Sequence, residues 1–144
     1  MKYRAKTMLV DSNILIYAIN SSSPKHLSAQ AYLQANVGQM TIAHQNILET
    51  LRVLTHSKFP YPMTTTNAIT AILSIAKGCH VIEPQTDTYH IALALIQKHD
   101  LKGDKVFDAY LVATAISVGI SSIATDNTKD FTIFEGVSVI NPFQ

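Results

Sequence analysis

Short apolar runs alternate with longer segments of helical periodicity along this chain of 144 residues. Runs of four or five mainly apolar residues predict buried strands, whereas apolar residues repeated every three or four positions predict amphipathic helices. Strands are predicted at 7–10, 39–43, 79–83, 121–125 and 137–140. Helices are predicted at 12–20, within 21–36 after a Ser-rich turn, and at 45–56, 65–78, 86–100 and 107–119.

The order of these elements predicts the architecture. Parallel strands need long crossover connections, usually helices, so strands separated by helices indicate a parallel sheet that is covered on both faces. We therefore predict an α/β fold with three layers, α/β/α, around a central, mostly parallel sheet. The length and the hydrophobic fraction of 47% fit one core, so residues 1–144 are predicted to form a single domain.

Three local features of this pattern concern the polar residues between the elements. Ser12 is a good cap residue and is predicted to begin the first helix. The segment 126–131 is predicted to be a polar loop, and 102–106 another. In the helix that follows 102–106, Asp108 lies at the margin of a predicted core face, which carries Phe107, Tyr110, Leu111, Thr114 and Val118.

Composition narrows the class of protein. The net charge is +1 and the isoelectric point is about 7.9, so the basic excess typical of many nucleic-acid-binding proteins is missing, although a local patch would suffice. Cys79 is the only cysteine, which excludes an intrachain disulfide and fits a reducing compartment. The opening MKYRAKT precedes an apolar stretch too short for a signal peptide, and no stretch is long enough to span a membrane. We expect a cytoplasmic protein that does not enter the membrane.

Two acidic residues lie where an open parallel sheet binds its ligands, in the crevice beyond the carboxyl ends of the strands, and two more stand in helices. Asp11 directly follows the first predicted strand, and Asp126 directly follows the fourth. Glu49 and Asp108 stand in otherwise apolar helices, where a carboxylate at the margin of the core face is expected to be half-buried.

Each acid also has a structural interpretation that involves no chemistry. Asp11 is suited to cap the helix that follows it. Asp108 lies in the first turn of its helix, where the helix dipole favours a negative charge. Glu49 can pair with Arg52 or Lys58 on the helix surface. None of these acids is specific alone, so the functional argument depends on the fold bringing them together.

If Asp11, Glu49, Asp108 and Asp126 meet in one crevice, their mutual repulsion is costly unless a cation neutralises it. The candidate ligands are all oxygens, and the histidines are scattered without zinc-binding spacing, so a hard dication such as Mg²⁺ or Mn²⁺ fits best. A water acidified by such an ion and oriented by a carboxylate is the attacking group in metal-assisted phosphodiester hydrolysis. The acids therefore favour a nuclease.

These segments carry a resemblance to a known family. The chain resembles the PIN-domain ribonucleases, most closely the VapC-like toxins of bacterial toxin-antitoxin pairs. The resemblance implies a magnesium-dependent endoribonuclease, with Mn²⁺ as a substitute, that leaves a 5′ phosphate and a 3′ hydroxyl. It also implies that Asp11, Glu49, Asp108 and an acid of the TDNTKDF loop bind the metal. The matching segments are MLVDSNILIYA, HQNILETLRVLT, VFDAYLVATAISVGISSIATDNTKDF and VSVINPF.

The last loop departs from the family pattern. Many relatives carry the acid two residues after the Thr, where this chain has Asn127. We rank Asp126 first as the fourth acid because it is nearest the strand end, and we keep Asp130 as a rival; both are also common turn residues. Asn127 is a candidate neutral ligand, and Asn13 and Thr125 are expected beside the site.

The resemblance implies three partners: an RNA substrate, an antitoxin that covers the active site, and a second copy of the chain in a homodimer. Basic residues near the acids are candidate RNA contacts, although solvated surface positions explain them equally well. These are Arg52 and Lys58 near Glu49, and Lys102 and Lys105 near Asp108.

Two other functions stay open on the sequence. An aspartyl-phosphate phosphatase also places an Asp after the first strand of an α/β sheet, but that chemistry usually has a second acid two residues later, where Asn13 stands. A catalytically silent domain that only binds RNA or a protein partner is the third interpretation, and the retained acids argue against it.

Overall fold

The computed structural model describes residues 7–144 and has one five-stranded sheet in this part of the chain. The order across the sheet is β3-β2-β1-β4-β5, and all four neighbouring pairs are parallel. The predicted parallel α/β sheet is therefore confirmed. The strands are β1 (Met8–Val10), β2 (Met40–Ala43), β3 (Cys79–Ile82), β4 (Ser122–Ala124) and β5 (Ser138–Ile140).

Helices connect the strands, and most of their ends differ from the predicted ones by one or two residues. The segment predicted as a polar loop contains a four-residue helix, α7, and α6 begins two residues earlier than predicted. The helices of residues 7–144 are α1 (Ser12–Ile19), α2 (His26–Ala35), α3 (His44–Thr55), α4 (Thr65–Ala76), α5 (Thr88–His99), α6 (Lys105–Ser117) and α7 (Thr128–Phe131).

The two faces of the sheet bury different sets of helices. Leu9 of β1 belongs to a cluster with the buried residues of α6 and with Phe131, whereas its neighbours Met8 and Val10 belong to a cluster with α1 and α2. This alternation follows from the two-residue period of a strand. The predicted three-layer α/β/α arrangement is thus confirmed.

The cap of α1 differs from the prediction. Asp11, not Ser12, is the N-cap residue: its backbone is extended, and its carboxylate accepts a hydrogen bond from the backbone N–H of Ser12 at 2.7 Å. Ser12 is the first residue within the helix. The structural interpretation of Asp11 as a helix cap is therefore correct, and it coexists with the chemical interpretation examined below.

The core face of α6 is rotated relative to the prediction. Leu111, Thr114 and Val118 are buried as expected, but Phe107 is 58% exposed and Tyr110 is only half-buried. The alanines at 109 and 113 are fully buried instead. The core face of α6 therefore includes two small residues, and Phe107 lies outside it.

Three predictions lie at the limits of the described residues. None of the helices within residues 7–144 has the length and hydropathy needed to cross a bilayer. The segment MKYRAK, on which the prediction about a signal peptide depends, lies outside the described residues. That residues 1–144 form a single domain stays a prediction.

Candidate active site

Asp11 lies at the carboxyl end of the central strand, beside the end of β4. β1 pairs with β4 through Val10 and Ala124, so the next residues, Asp11 and Thr125, come side by side. The Asp11 carboxylate accepts a hydrogen bond from the Thr125 hydroxyl at 2.7 Å as well as the one from Ser12. Burial raises the pKa of Asp11, and these two hydrogen bonds oppose that rise. The carboxylate is held in one orientation at the edge of the sheet.

Glu49 reaches the same place from α3. Its carboxylate accepts a hydrogen bond from the Ser12 hydroxyl at 3.2 Å, and that hydroxyl accepts one from the side chain of buried Asn46, also at 3.2 Å. Burial and then the charge of Asp11 raise the pKa of Glu49, while Arg52 lowers it. Glu49 is therefore not simply a solvated partner of Arg52: it faces Asp11.

Asp108 approaches from the first turn of α6. Burial raises its pKa to about 7, with further contributions from the negative charges of Asp130, Asp11 and Glu49, while Lys105 acts in the opposite direction. Asp108 also lines the same cavity as Glu49, which itself shares Ser12 with Asp11. The structure thus brings together Asp11, Glu49 and Asp108, as the sequence predicts.

The rival acid of the last loop joins this group. Asp130 lies on α7, and its negative charge raises the pKa of both Asp11 and Asp108. The neighbouring Phe131 is buried in the core, which fixes the orientation of this short helix. We call Asp11, Glu49, Asp108 and Asp130 the acidic cluster.

Asp126, ranked first from the sequence, is bound by a different set of residues. Its carboxylate accepts hydrogen bonds from the Tyr17 hydroxyl at 2.8 Å and from the Lys25 ammonium group. Lys25 lowers the pKa of Asp126 most, with Tyr17 and Asn141 acting in the same direction. The charge of Asp126 is therefore neutralised locally, in contrast to that of Asp130.

The polar residues predicted beside the site form a hydrogen-bonded bridge from α1 to the β4–α7 loop. The Asn13 side chain donates to the Thr125 hydroxyl at 3.2 Å and to Asp11 at 3.5 Å, and it accepts from the backbone N–H of Asp126 at 3.3 Å. Asn127 contributes its backbone N–H, which donates to the Thr125 hydroxyl at 3.0 Å. Thr125 is therefore the centre of the bridge.

The donor set of the acidic cluster suits a hard dication, although the cluster is not a closed ligand cage. Within residues 7–144, no three His, Cys, Asp or Glu side chains are already arranged as a metal-binding group. Neighbouring negative charges do raise the pKa of Asp11, Glu49 and Asp108, so these three carboxylates gain from a cation beside them. Carboxylate oxygens are the ligands that Mg²⁺ and Mn²⁺ prefer.

Comparison with known proteins identifies the family. The sequence model of the PIN domain family matches residues 8–134, which is most of the chain. The chain belongs to the PIN domain family. It is 27% identical over 135 residues to ribonuclease VapC37 of Mycobacterium tuberculosis, with 90% of this chain and 92% of that protein covered.

Solved structures agree on the fold. A toxin-antitoxin complex from Klebsiella pneumoniae contains a chain that is 25% identical, with a TM-score of 0.69 and coverage of 96% of this chain and 99% of that one. Mycobacterium tuberculosis VapC20, a toxin that cleaves the sarcin-ricin loop, is 16% identical with a TM-score of 0.65, over 81% of this chain and 87% of that one.

In this PIN domain, a cavity of about 770 Å³ opens beside the acidic cluster between α3 and α6. Glu49 and Asp108 line it, together with Arg52 and the exposed side chains of Leu48 and Phe107. The cavity therefore connects two of the catalytic candidates with apolar surface and one basic residue.

The other predicted RNA contacts, Lys58, Lys102 and Lys105, have different surroundings. Lys58 lines a shallow hollow at the end of α3 together with Arg52 and His56. Lys105 lies near enough to Asp108 to lower its pKa. Lys102 instead forms an exposed ion pair with Asp100 at 3.1 Å.

The sequence did not indicate two residues that lie beside the loop between β4 and α7, Lys25 and Phe143. Lys25 binds the Asp126 carboxylate although it lies 101 positions away in the chain, and the Phe143 ring lies beside the Lys25 ammonium group. No local motif marks such a pair. The one available signal was the unusual position of an acid at 126, one residue before the place where many relatives carry theirs.

Proposed function

We propose that this chain is a metal-dependent endoribonuclease that acts as the toxin of a toxin-antitoxin pair. The observation that carries the proposal is the placement of Asp11, Glu49 and Asp108 beside one another at the carboxyl edge of a PIN-domain sheet, where the charge of Asp130 also acts on Asp11 and Asp108. The relatives, a ribonuclease and a chain of a toxin-antitoxin complex, support the same activity and the same biological role.

The metal ligands that we propose are Asp11, Glu49, Asp108 and Asp130. Asp130 replaces Asp126 in this set because Asp130 acts electrostatically on Asp11 and Asp108, whereas Asp126 is occupied by Lys25. A bound Mg²⁺ would supply an acidified water as the nucleophile and would stabilise negative charge on the scissile phosphate.

The chain's own residues prepare this site for the ion. Ser12 and Thr125 hold the carboxylates of Glu49 and Asp11 through their hydroxyl groups, so these ligands are oriented before an ion enters. Asp108, whose pKa is about 7 in the metal-free protein, must give up its proton to coordinate a cation. Ion binding is therefore coupled to proton release near neutral pH.

The remaining partners follow from this function. We propose that Arg52, Lys58 and Lys105 contact the phosphates of an RNA substrate, because each lies near the cavity beside the acids or in the adjoining hollow. Lys102, already paired with Asp100, is the weakest of the four candidates. An antitoxin that covers the site, a homodimer and a cytoplasmic location stay predictions from the resemblance.

The direct test is cleavage of single-stranded RNA by the purified chain in the presence of Mg²⁺. We expect cleavage that ends when the ion is chelated and returns when Mg²⁺ or Mn²⁺ is added in excess, because the carboxylates alone supply no nucleophile. Mass spectrometry of the products should show a 5′ phosphate and a 3′ hydroxyl. Cleavage that persists after chelation, or phosphate release without chain scission, would contradict the proposal.

The choice of Asp130 as the fourth acid gives a second test. Asp130→Asn is expected to lower the rate of RNA cleavage about 100-fold, since it removes one ligand charge from the cluster. The change in rate should be accompanied by weaker Mn²⁺ binding in calorimetry. Asp87→Asn, which alters an exposed acid at the start of α5, is the matched control and should keep the wild-type rate. An Asp130→Asn variant with wild-type affinity for Mn²⁺ would remove Asp130 from the ligand set.

A further inference from the structure

Two side chains bind the Asp126 carboxylate on the loop between β4 and α7, and the ring of Phe143 packs against both of them. Lys25 forms an ion pair with this carboxylate, and the Tyr17 hydroxyl donates to the same oxygen at 2.8 Å. The Lys25 ammonium group also lies 5.4 Å from the centre of the Tyr17 ring and 5.2 Å from that of Phe143, within the range of cation–π attraction. The two rings meet edge to face at 5.5 Å. We call Tyr17, Lys25 and Phe143 the Asp126 clamp.

The clamp is joined to the acidic cluster through Thr125 and Asn13. Thr125, which precedes Asp126, is fully buried and donates its hydroxyl hydrogen to Asp11 at 2.7 Å. The backbone N–H of Asp126 donates to Asn13, whose amide donates in turn to Thr125 at 3.2 Å. A shift of Asp126 would therefore move Thr125 and Asn13, two of the three groups that donate hydrogen bonds to the Asp11 carboxylate.

The clamp also fixes one end of the segment that carries Asp130. At the other end, the Phe131 side chain is buried in the core cluster between the sheet and α6. The backbone N–H of Asp130 donates to the carbonyl oxygen of Asn127 at 3.1 Å, so the segment between these anchors is a closed turn. Asp130 is thus held between two anchored points, one of them the clamp.

We propose that Lys25 is a positioning residue of the metal site: by binding Asp126 it holds the β4–α7 loop so that Thr125 orients Asp11 and Asp130 faces the cluster. This inference rests on the proposed function, since it concerns the same site. It assigns Asp126 the role of an anchor and not of a ligand.

The exposure of the Lys25–Asp126 ion pair distinguishes a positioning role at the metal site from a general contribution to folding stability. The Lys25 side chain is 41% exposed and that of Asp126 is 18% exposed, and ion pairs near the surface contribute little to folding stability. Loss of the pair should therefore change the unfolding temperature only slightly. The local consequence is larger, because contacts one step removed from a metal typically change its affinity about 10-fold to 100-fold.

The experiment measures Mn²⁺ binding by isothermal titration calorimetry on the full chain without RNA. Lys25→Met is expected to weaken Mn²⁺ binding about tenfold, at the lower end of the range for such contacts. Asp126→Asn should have a similar effect, and the double variant should be no weaker than either single one, since both break the same contact. Lys25→Arg, which keeps the ion pair, should restore most of the affinity. Hydrogen exchange should rise in residues 125–131 in Lys25→Met.

The control is Lys98→Met, which breaks the exposed ion pair of Lys98 with Glu135. This variant should bind Mn²⁺ as the wild type does, and thermal unfolding of each variant verifies that it folds. Unchanged Mn²⁺ affinity in Lys25→Met would overturn the proposal. So would loss of binding in Asp126→Asn with normal binding in Lys25→Met, because Asp126 would then be a ligand itself.

The binding measurement also separates this inference from the proposed function. If the wild-type chain binds Mn²⁺ but cleaves no RNA, the proposed ribonuclease activity fails while the Lys25 variants still decide the positioning role. If the chain cleaves RNA and Lys25→Met binds Mn²⁺ normally, only the positioning role fails.

Discussion

Replacing Asp108 by Asn is expected to lower the rate of RNA cleavage at least about 1000-fold, which corresponds to a loss of roughly 4 kcal/mol of transition-state stabilisation. Asn keeps the size of the side chain but removes the charge of an acid that lies close to Asp11, Glu49 and Asp130. The measurement is the single-turnover cleavage rate of a labelled single-stranded RNA at saturating Mg²⁺.

The same substitution is expected to stabilise the metal-free protein. Burial and three neighbouring negative charges oppose ionisation of Asp108, so an uncharged Asn relieves a repulsion that the wild type bears above neutral pH. If this repulsion is worth about 1 kcal/mol, the unfolding temperature should rise by about 2–4 °C. Opposite changes in activity and stability are the signature of a functional acid, since active sites are often built at the expense of stability.

Asp87→Asn again serves as the control, because it removes an exposed acid at the start of a different helix. It should change neither the cleavage rate nor the unfolding temperature. An Asp108→Asn variant that keeps wild-type activity would exclude Asp108 from the ligand set. A variant that is both inactive and much less stable would instead indicate that Asp108 has a structural role in α6.

The fold was accessible from the sequence because its signal is local. The five apolar runs each mark a strand, and the helical segments between them require parallel crossovers, which leaves few topologies. Asp11 was accessible for the same reason: a residue directly after the central strand must lie at its carboxyl edge. Neither prediction needed to know which side chains meet across the sheet.

The sequence alone could not decide the points that depend on contacts between distant segments. The choice between Asp126 and Asp130 depends on Lys25, which is distant in the chain, and on the burial of Phe131, which orients α7. The exposure of Phe107 depends on which side of α6 packs against the core, and that side carries the two buried alanines. Hydrophobic periodicity counts an alanine as weakly apolar, so it placed the core face about the larger side chains.

The metal-free protein is expected to lose stability as the pH rises from about 4 to about 7, and a divalent ion should restore it. The pKa of Asp108 is raised from 3.8 to about 7 in the folded protein, so between these values the folded state holds a proton that the unfolded state has released. Unfolding is then accompanied by proton release, and higher pH favours it. The raised pKa values of Asp11 and Glu49 act in the same direction.

Thermal unfolding at a series of pH values, with and without Mg²⁺, measures this effect. The informative quantity is the difference between the wild type and Asp108→Asn, because the two proteins share every other ionisable group. Without the ion, the unfolding temperature of the wild type should fall below that of the variant as the pH rises. With Mg²⁺ above neutral pH the order should reverse, because a ligand that binds only the folded state stabilises it, and tighter binding stabilises it more. Parallel pH profiles for the two proteins would mean that the other acids do not raise the pKa of Asp108. The proposed metal site at this edge of the sheet would then lose its electrostatic basis.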